Sequence, residues 1–264
     1  MKHHPILSIK ARTLNQFVKH YNFTKYYRYM KQIRNTHLGE SCFVIGNGPS
    51  LTAEDLDTLA ENHIDSFAVN RIYKIFPQTK WRPTYYVNTD WVLIRDVLDT
   101  VNTIPAKQKF FPIHHLYEQS FRKEIKNRAI FNLRYSPESI FNIDCSQRVW
   151  GVGTVTISSI QLAAHMGYRN IYLLGIDHNF DNIIDENGNT IINEGVKNYF
   201  VDDYDTDISD EVVHNLGNTT RRYCEVQAYY PKHGVIIHNA TRTTKLEAFP
   251  RIDFDEAVEK IIRK

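Results

Sequence analysis

The sequence predicts an α/β fold: a doubly wound, mainly parallel sheet of the Rossmann-like, nucleotide-binding kind, carrying a small irregular lid. Three observations predict it. From Ser41 onward, short apolar runs alternate with helical patterns. The first run, residues 42–45, passes straight into Gly46-Asn47-Gly48-Pro49-Ser50 and then a helix start. A later run, residues 170–174, is apolar on alternate and intervening positions alike, as a strand buried on both faces of a parallel sheet must be.

Taken in order, residues 1–40 form a basic helical segment preceding the α/β domain of residues 41–264. The first 39 residues carry Lys2, Lys10, Arg12, Lys19, Lys25, Arg28, Lys31 and Arg34 and no acid. Phe17, Tyr21, Phe23, Tyr26, Tyr27, Tyr29 and Met30 are interleaved with them. Such a segment suits the inner face of an anionic membrane. It equally suits a helix packed on the core, or an oligomer contact.

The strand at 42–45 is followed by a helix at 52–62, with Thr52 and Asp55 spaced as a capping box. Two glycines in the intervening turn permit a sharp bend and close approach of a ligand, and helix N–H groups favour a phosphate there. The same pattern serves equally as a tight structural turn. It matches neither the three-glycine dinucleotide fingerprint nor a P-loop. Strands at 65–69 and 84–87 end at Asn70 and Asn88, and shorter ones follow at 109–113 and 129–132. Residues 154–166 read as a helix with Val155, Ile157, Ile160, Ala163 and Ala164 on one broad face and Gly167 as its cap. The strand at 170–174 leads to Asp177. A last strand at 234–237 and a closing helix at 253–262 complete the domain. Ligands of such sheets sit beyond the carboxyl ends of the strands, where the 46–50 turn, Asn70, Asn88 and Asp177 all fall.

Residues 178–215 break the alternation and read as a lid. Ile183-Ile184 and Ile191-Ile192 flank a turn sequence, predicting a hairpin, and Asp202, Asp203, Asp205, Asp207 and Asp210 follow.

At 264 residues and a net charge of +2, the chain has enough length for a full core and lacks the basic excess of a dedicated nucleic-acid binder. Three widely spaced cysteines, Cys42, Cys145 and Cys224, suit a reducing compartment and give no metal spacing. No run approaches the ~20 apolar residues of a membrane span, and no signal peptide is recognised. The expected location is the cytoplasm, with the basic segment as a peripheral membrane contact.

The aspartates at 203, 205 and 207 resemble the start of a calcium loop, but Ile208 and His214 stand where Gly and Glu are needed. Asp203-Tyr204-Asp205 reads as a solvated acidic loop in preference to a glycosyltransferase metal motif. His3-His4 and His114-His115 read as surface pairs, and no hydrolase triad is indicated. Arg148, just before the Gly151–Gly153 turn, suits a phosphate or carboxylate, or equally an ion pair with a lid aspartate. Asp177 suits ligand contact or loop bracing. His178 and His214 are candidate bases.

Several stretches resemble bacterial sialyltransferases of the Campylobacter lipooligosaccharide type. These are Gly46-Asn47-Gly48-Pro49-Ser50-Leu51, Val69-Asn70-Arg71 with Tyr73, Tyr85-Tyr86-Val87-Asn88, Gln147-Arg148 before a glycine turn, and Ala164-His165-Met166-Gly167-Tyr168-Arg169-Asn170-Ile171-Tyr172-Leu173-Leu174-Gly175-Ile176-Asp177. The chain is also similar to domains related to flagellar accessory glycosyltransferases. The resemblance spans residues 41–245. It implies an inverting, metal-independent transferase moving a sialic-acid-like sugar from a CMP donor to a glycan or glycolipid hydroxyl in surface-polysaccharide synthesis. No cofactor is required on this reading, with Mg²⁺ at most stimulatory, and a homo-oligomer is expected.

Carried over residue by residue, the resemblance puts Gly46, Asn47, Gly48, Ser50, Asn70, Asn88, Gly153 and Asp177 around the donor nucleotide. It makes Arg148 an active-site arginine and His214 the base, with His178 as rival. Tyr199 and Tyr204 stand in for paired lid tyrosines at the leaving phosphate. The turn Trp150-Gly151-Val152-Gly153 departs from the family pattern and admits another CMP-activated acid, such as Kdo. Pterin diphosphokinases share the Gly-x-Gly-Pro-Ser-Leu start. They give an alternative that needs ATP, Mg²⁺ and strand-end carboxylates, for which Asp90 and Asp177 are available. A non-catalytic binding protein of a surface-polymer assembly system is the third reading.

Overall fold

The computed structural model describes residues 18–90, 98–117, 125–136, 141–151, 153–184, 188–204 and 214–263. The helices are α1 (Lys25–Ile33), α2 (Ala53–Glu61), α3 (Val155–Met166), α4 (Leu216–Tyr229) and α5 (Phe254–Ile262). The strands are β1 (Ser41–Ile45), β2 (Ser66–Val69), β3 (Tyr85–Val87), β4 (Gln108–Pro112), β5 (Arg128–Phe131), β6 (Leu133–Tyr135), β7 (Val149–Gly151), β8 (Asn170–Leu174), β9 (Asn182–Ile184), β10 (Thr190–Ile192), β11 (His214–Asn215) and β12 (Ile236–Asn239).

Seven strands form the central sheet in the order β12-β8-β1-β2-β3-β4-β5. Every pairing in it is parallel. The chain runs outward from β1 to β5, then returns to the other side of β1 with β8 and β12. The order therefore reverses between β1 and β8, which is the crevice where open α/β sheets take ligands. The expected doubly wound fold is what the chain adopts.

Alternation along β1 shows why both faces must be covered. Cys42 and Val44 point into one core with Phe67, Val69, Phe110 and the apolar side of α3. Phe43 and Ile45 point into the other with Leu56 and Leu59 of α2 and Phe254 and Val258 of α5. Each such side chain contributes about 1.5–3 kcal/mol on burial. Helix α3 is buried all round from Thr156 to Met166, not on one face alone. Gly167 closes it in the left-handed conformation expected of a cap.

The basic segment is tied to these cores as far as it is described. Tyr21, Met30 and Ile33 are buried, and Tyr21 donates its hydroxyl proton to the Ile130 carbonyl at 3.3 Å. Phe23 stays 83% exposed. Residues 1–17 lie outside the described residues. Among the described residues no helix is long and apolar enough to cross a membrane.

The expected hairpin forms as β9–β10, and β11 adds to β9 in parallel, making a small second sheet. Asp205, Asp207 and Asp210 lie outside the described residues. The last strand is shifted two residues beyond the predicted 234–237, because Gly234 caps the preceding 3-10 turn in a left-handed conformation. The largest element the sequence reading lacked is α4. Its N-cap Asn215 and the inward positions Tyr223, Val226 and Tyr230, spaced three and four apart, carry its signal. The surface reading of His114-His115 is corrected: His115 is fully buried, and burial lowers its pKa to about 3 and that of His114 to about 4.

Candidate active site

A cavity of about 440 Å³ opens at the β1/β8 crevice, within the range of small-ligand sites. Three of its walls follow from local sequence. The turn after β1 supplies Gly46, Asn47 and Gly48; the turn after β8 supplies Asp177 and His178; the lid supplies Tyr199 and Tyr204. The fourth wall is the pair of helix starts at Gly153–Thr156 and at Asn215–Thr219.

The turn after β1 is braced from within. The Gly46 N–H donates to the Leu174 carbonyl at 2.8 Å and the Gly48 N–H to the Gly175 carbonyl at 2.9 Å. The Ser50 N–H and hydroxyl both donate to Asp177, at 3.0 and 2.7 Å. A Cβ on Gly48 would come within 1.9 Å of the Asp177 carboxylate, so glycine is required there for close approach of the two strand ends. The expectation that this turn cradles a phosphate is thereby corrected for Gly46, Gly48 and Ser50. Their N–H groups already have acceptors, and the anion held in this turn is Asp177 itself. Burial raises the Asp177 pKa, and the two Ser50 bonds offset part of that shift.

Asn47 faces the cavity. Its Nδ2 donates to the Tyr204 hydroxyl at 2.7 Å and to the Val69 carbonyl at 3.2 Å, while its buried Oδ1 has no hydrogen-bond partner. Tyr204 is fixed further by Arg71, whose backbone N–H donates to the phenol oxygen at 3.2 Å and whose guanidinium donates to the Tyr204 carbonyl at 2.7 Å. Tyr199 stacks on Tyr204 with ring centroids 3.8 Å apart. The Phe200 N–H donates to the Asn47 carbonyl at 3.1 Å, so the lid is pinned to the turn after β1.

Asn70 lines the cavity with φ of +50°, a left-handed conformation unusual outside glycine. Asn88 does not line it. It is fully buried behind Asn70, donating to its Oδ1 at 3.4 Å, so it bears on the cavity through Asn70.

The two candidate bases differ in their bonding. His178 donates or accepts at Nε2 with the Thr220 hydroxyl at 2.7 Å. That hydroxyl gives its single proton to the Leu216 carbonyl at 2.9 Å, so Nε2 is assigned the proton and Nδ1 the lone pair. Burial lowers the His178 pKa to about 4. His214 stacks on Phe180 at 3.7 Å, and its Nε2 has no hydrogen-bond partner among the described residues. Burial lowers its pKa and the nearby Asp181 charge opposes that shift. His214 also lines an adjoining cavity of about 510 Å³, together with Asn70, Gly153, Asp90 and His114. Its ring therefore borders both spaces.

Helices α3 and α4 present their positive ends to the same cavity. Gly153, at φ of +95°, makes the turn into α3, and Thr154 caps it by accepting from the Thr156 N–H at 3.3 Å. Asn215 caps α4 by accepting from the Asn218 N–H at 3.0 Å. The other first-turn N–H groups of each helix lack intrahelical acceptors, which favours a phosphate between them. Of this pair the sequence reading recognised only the first.

Arg148 is not brought to this cavity. It lies at the far edge of the sheet, its guanidinium 5.4 Å from the Trp150 ring, in a separate pocket. One carboxylate, Asp177, lines the main cavity among the described residues. The one group of prospective metal ligands among the described residues, His37, Glu40 and Asp65, lies at the opposite, amino ends of β1 and β2.

The fold and the site define a Rossmann-like α/β protein with its ligand crevice at the switch point of the sheet. The chain belongs to the family described as 6-hydroxymethylpterin diphosphokinase MptE-like, whose sequence model matches residues 15–182. This is the group set out above as the alternative to the sialyltransferases. Among curated proteins no sequence matches the chain. In fold it is similar to the MAf glycosyltransferase of Magnetospirillum magneticum AMB-1, at 12% identity and a TM-score of 0.50 over 87% of this chain. The chain spans 38% of the length of that structure. The sialyltransferase CstII of Campylobacter jejuni, solved with cytidine-5'-monophosphate, matches at 13% identity and a TM-score of 0.44 over 81% of this chain and 85% of its own.

Proposed function

We propose that this protein is a glycosyltransferase that moves a sugar from a nucleotide-activated donor to an acceptor hydroxyl. The donor kind the sequence motifs favour is a CMP-linked acidic sugar, sialic-acid-like or Kdo-like. The single observation that carries the assignment of roles is His214: an imidazole with a lowered pKa whose ring borders both the cavity with the helix starts and its neighbour, and whose buried Nε2 has no hydrogen-bond partner among the described residues.

With the donor phosphate between the starts of α3 and α4, the acceptor hydroxyl comes from the adjoining cavity. His214 Nε2 takes the hydroxyl proton, the acceptor oxygen bonds to the anomeric carbon, and the bond from that carbon to the phosphate oxygen breaks with its electron pair leaving on CMP. One displacement inverts the anomeric centre. The helix starts meet the growing negative charge, and the pinned lid tyrosines exclude water from the activated sugar.

Family membership favours a second reading, diphosphoryl transfer from ATP to a pterin hydroxyl. It uses the same base and the same helix starts, but Mg²⁺ would have to be held by Asp177 and Asp90, and Asp177 is already bonded twice to Ser50. A thermal-shift panel of CMP, CDP, UDP, GDP and ATP, each with and without Mg²⁺, separates the readings. Stabilisation by CMP without metal supports glycosyl transfer; stabilisation by ATP only with Mg²⁺ replaces it with the diphosphokinase reading; no response to any nucleotide leaves a non-catalytic binding protein.

A further inference from the structure

At the far edge of the same sheet end lies a polar pocket of about 330 Å³, between residues 18–22 and the β6–β7 ribbon. Lys19, Arg134 and Arg148 line it, with Asn22, Asn132 and Gln147, and among the described residues no acid does. Among the described residues none of the three cations has an ion pair. Burial and the Arg148 charge lower the Arg134 pKa, as expected of two guanidinium groups facing one space with no counter-charge among the described residues. Arg148 is steadied over the Trp150 ring. Asn132 is 7% exposed, its Nδ2 donates to the Gln147 carbonyl at 3.0 Å, and its buried Oδ1 has no partner among the described residues.

This is the chemistry of an anion site: two planar forks and an ammonium for the anionic oxygens, and one acceptor for an O–H. Three cations, with no acid among the described residues beside them, suit a phosphate group better than a single carboxylate. Tyr135 lines both this pocket and the cavity adjoining His214, so a molecule whose hydroxyl lies at His214 has a route along the strand ends to the arginines.

We propose that Lys19, Arg134 and Arg148 form a second anion site that takes a phosphate group of the acceptor, distinct from the donor phosphate at α3 and α4. Its assignment to the acceptor rests on the group-transfer reading above; the anion site itself does not.

The test is titration calorimetry of inorganic phosphate into the full-length protein, with and without saturating CMP, for the wild type and for Arg134→Gln/Arg148→Gln. Unchanged melting temperatures in phosphate-free buffer, and a charge-keeping Arg134→Lys/Arg148→Lys variant that retains binding, control for folding. The expected result is phosphate binding that is indifferent to CMP and at least about tenfold weaker in the glutamine variant. Equal affinity in the glutamine variant, no phosphate binding by the wild type, or competition between phosphate and CMP would each overturn the proposal. Absence of any CMP response would count against the glycosyl-transfer reading alone, since phosphate binding is read separately.

Discussion

Ser50 and Asp177, 127 residues apart, are joined by two hydrogen bonds: the Ser50 N–H and hydroxyl donate to the two carboxylate oxygens of Asp177 at 3.0 and 2.7 Å. The bond pair clamps the turn after β1 to the turn after β8 at the reversal point of the sheet. Replacing Asp177 by Asn puts an amide donor against one of these donors and should cost about 1–3 kcal/mol. Gly48→Ala, which drives a Cβ into the same carboxylate, should cost about as much. Urea unfolding measures both. Wild-type midpoints in either variant would show the clamp to be dispensable.

His214→Ala should still fold and lose transfer by about 10²–10⁴-fold. His178→Ala should keep more activity and lose more stability, since its ring is bonded to Thr220 and packs edge-on against Tyr223. Rates with the panel-identified donor decide between them, and near-normal turnover of the His214 variant removes it as base. Because burial lowers the His214 pKa, its neutral form should persist below the ordinary imidazole range. The acid limb of the wild-type rate profile should therefore lie below pH ~6.5.

Stability should fall in mild acid. His114 and His178 have folded pKa values of about 4, and His115 of about 3, all lowered chiefly by burial. With an unfolded value of ~6.5, the unfolded chain binds more protons throughout that interval. Their contribution is fully present above pH ~6.5 and is lost as pH falls toward 4 and then 3. For the buried His178 the difference corresponds to roughly 3 kcal/mol. Denaturant midpoints across pH 4–7.5 test this, and a flat profile would contradict the burial argument.

Asp55 in α2 is almost fully buried and accepts from Arg242 Nε at 2.9 and 3.2 Å. This displaces the predicted capping box: Thr52 still accepts from the Asp55 N–H at 3.1 Å, but the Asp55 side chain binds the arginine instead. Arg242→Ala should leave a buried carboxylate without its partner and cost about 2 kcal/mol. That is less than the ~3–5 of a fully buried pair, because Arg242 is half exposed and screened. Arg242→Ala/Asp55→Asn should recover part of the loss, and additivity of the two changes would deny the coupling.

What the sequence determined by itself was local. Alternating apolar runs and turn residues fixed the seven strands of the central sheet, the lid hairpin, α2, α3 and α5, and parallel pairing followed from strands apolar on both faces. The sheet in turn places the β1 turn, Asn70 and Asp177 at one edge, because carboxyl ends of parallel strands share an edge. Tertiary structure alone decided which atoms there remain free. Asp177 takes up the N–H of Ser50, Asn88 lies behind Asn70, and His115, polar by sequence, is enclosed under the β4 end. Arg148 follows a short ribbon to the far edge, away from His214. The start of α4 meets that of α3 at one cavity only in the folded chain. Hydrogen bonds and burial between residues more than a hundred positions apart depend on strand order and lid placement, and no local period or turn signal encodes either.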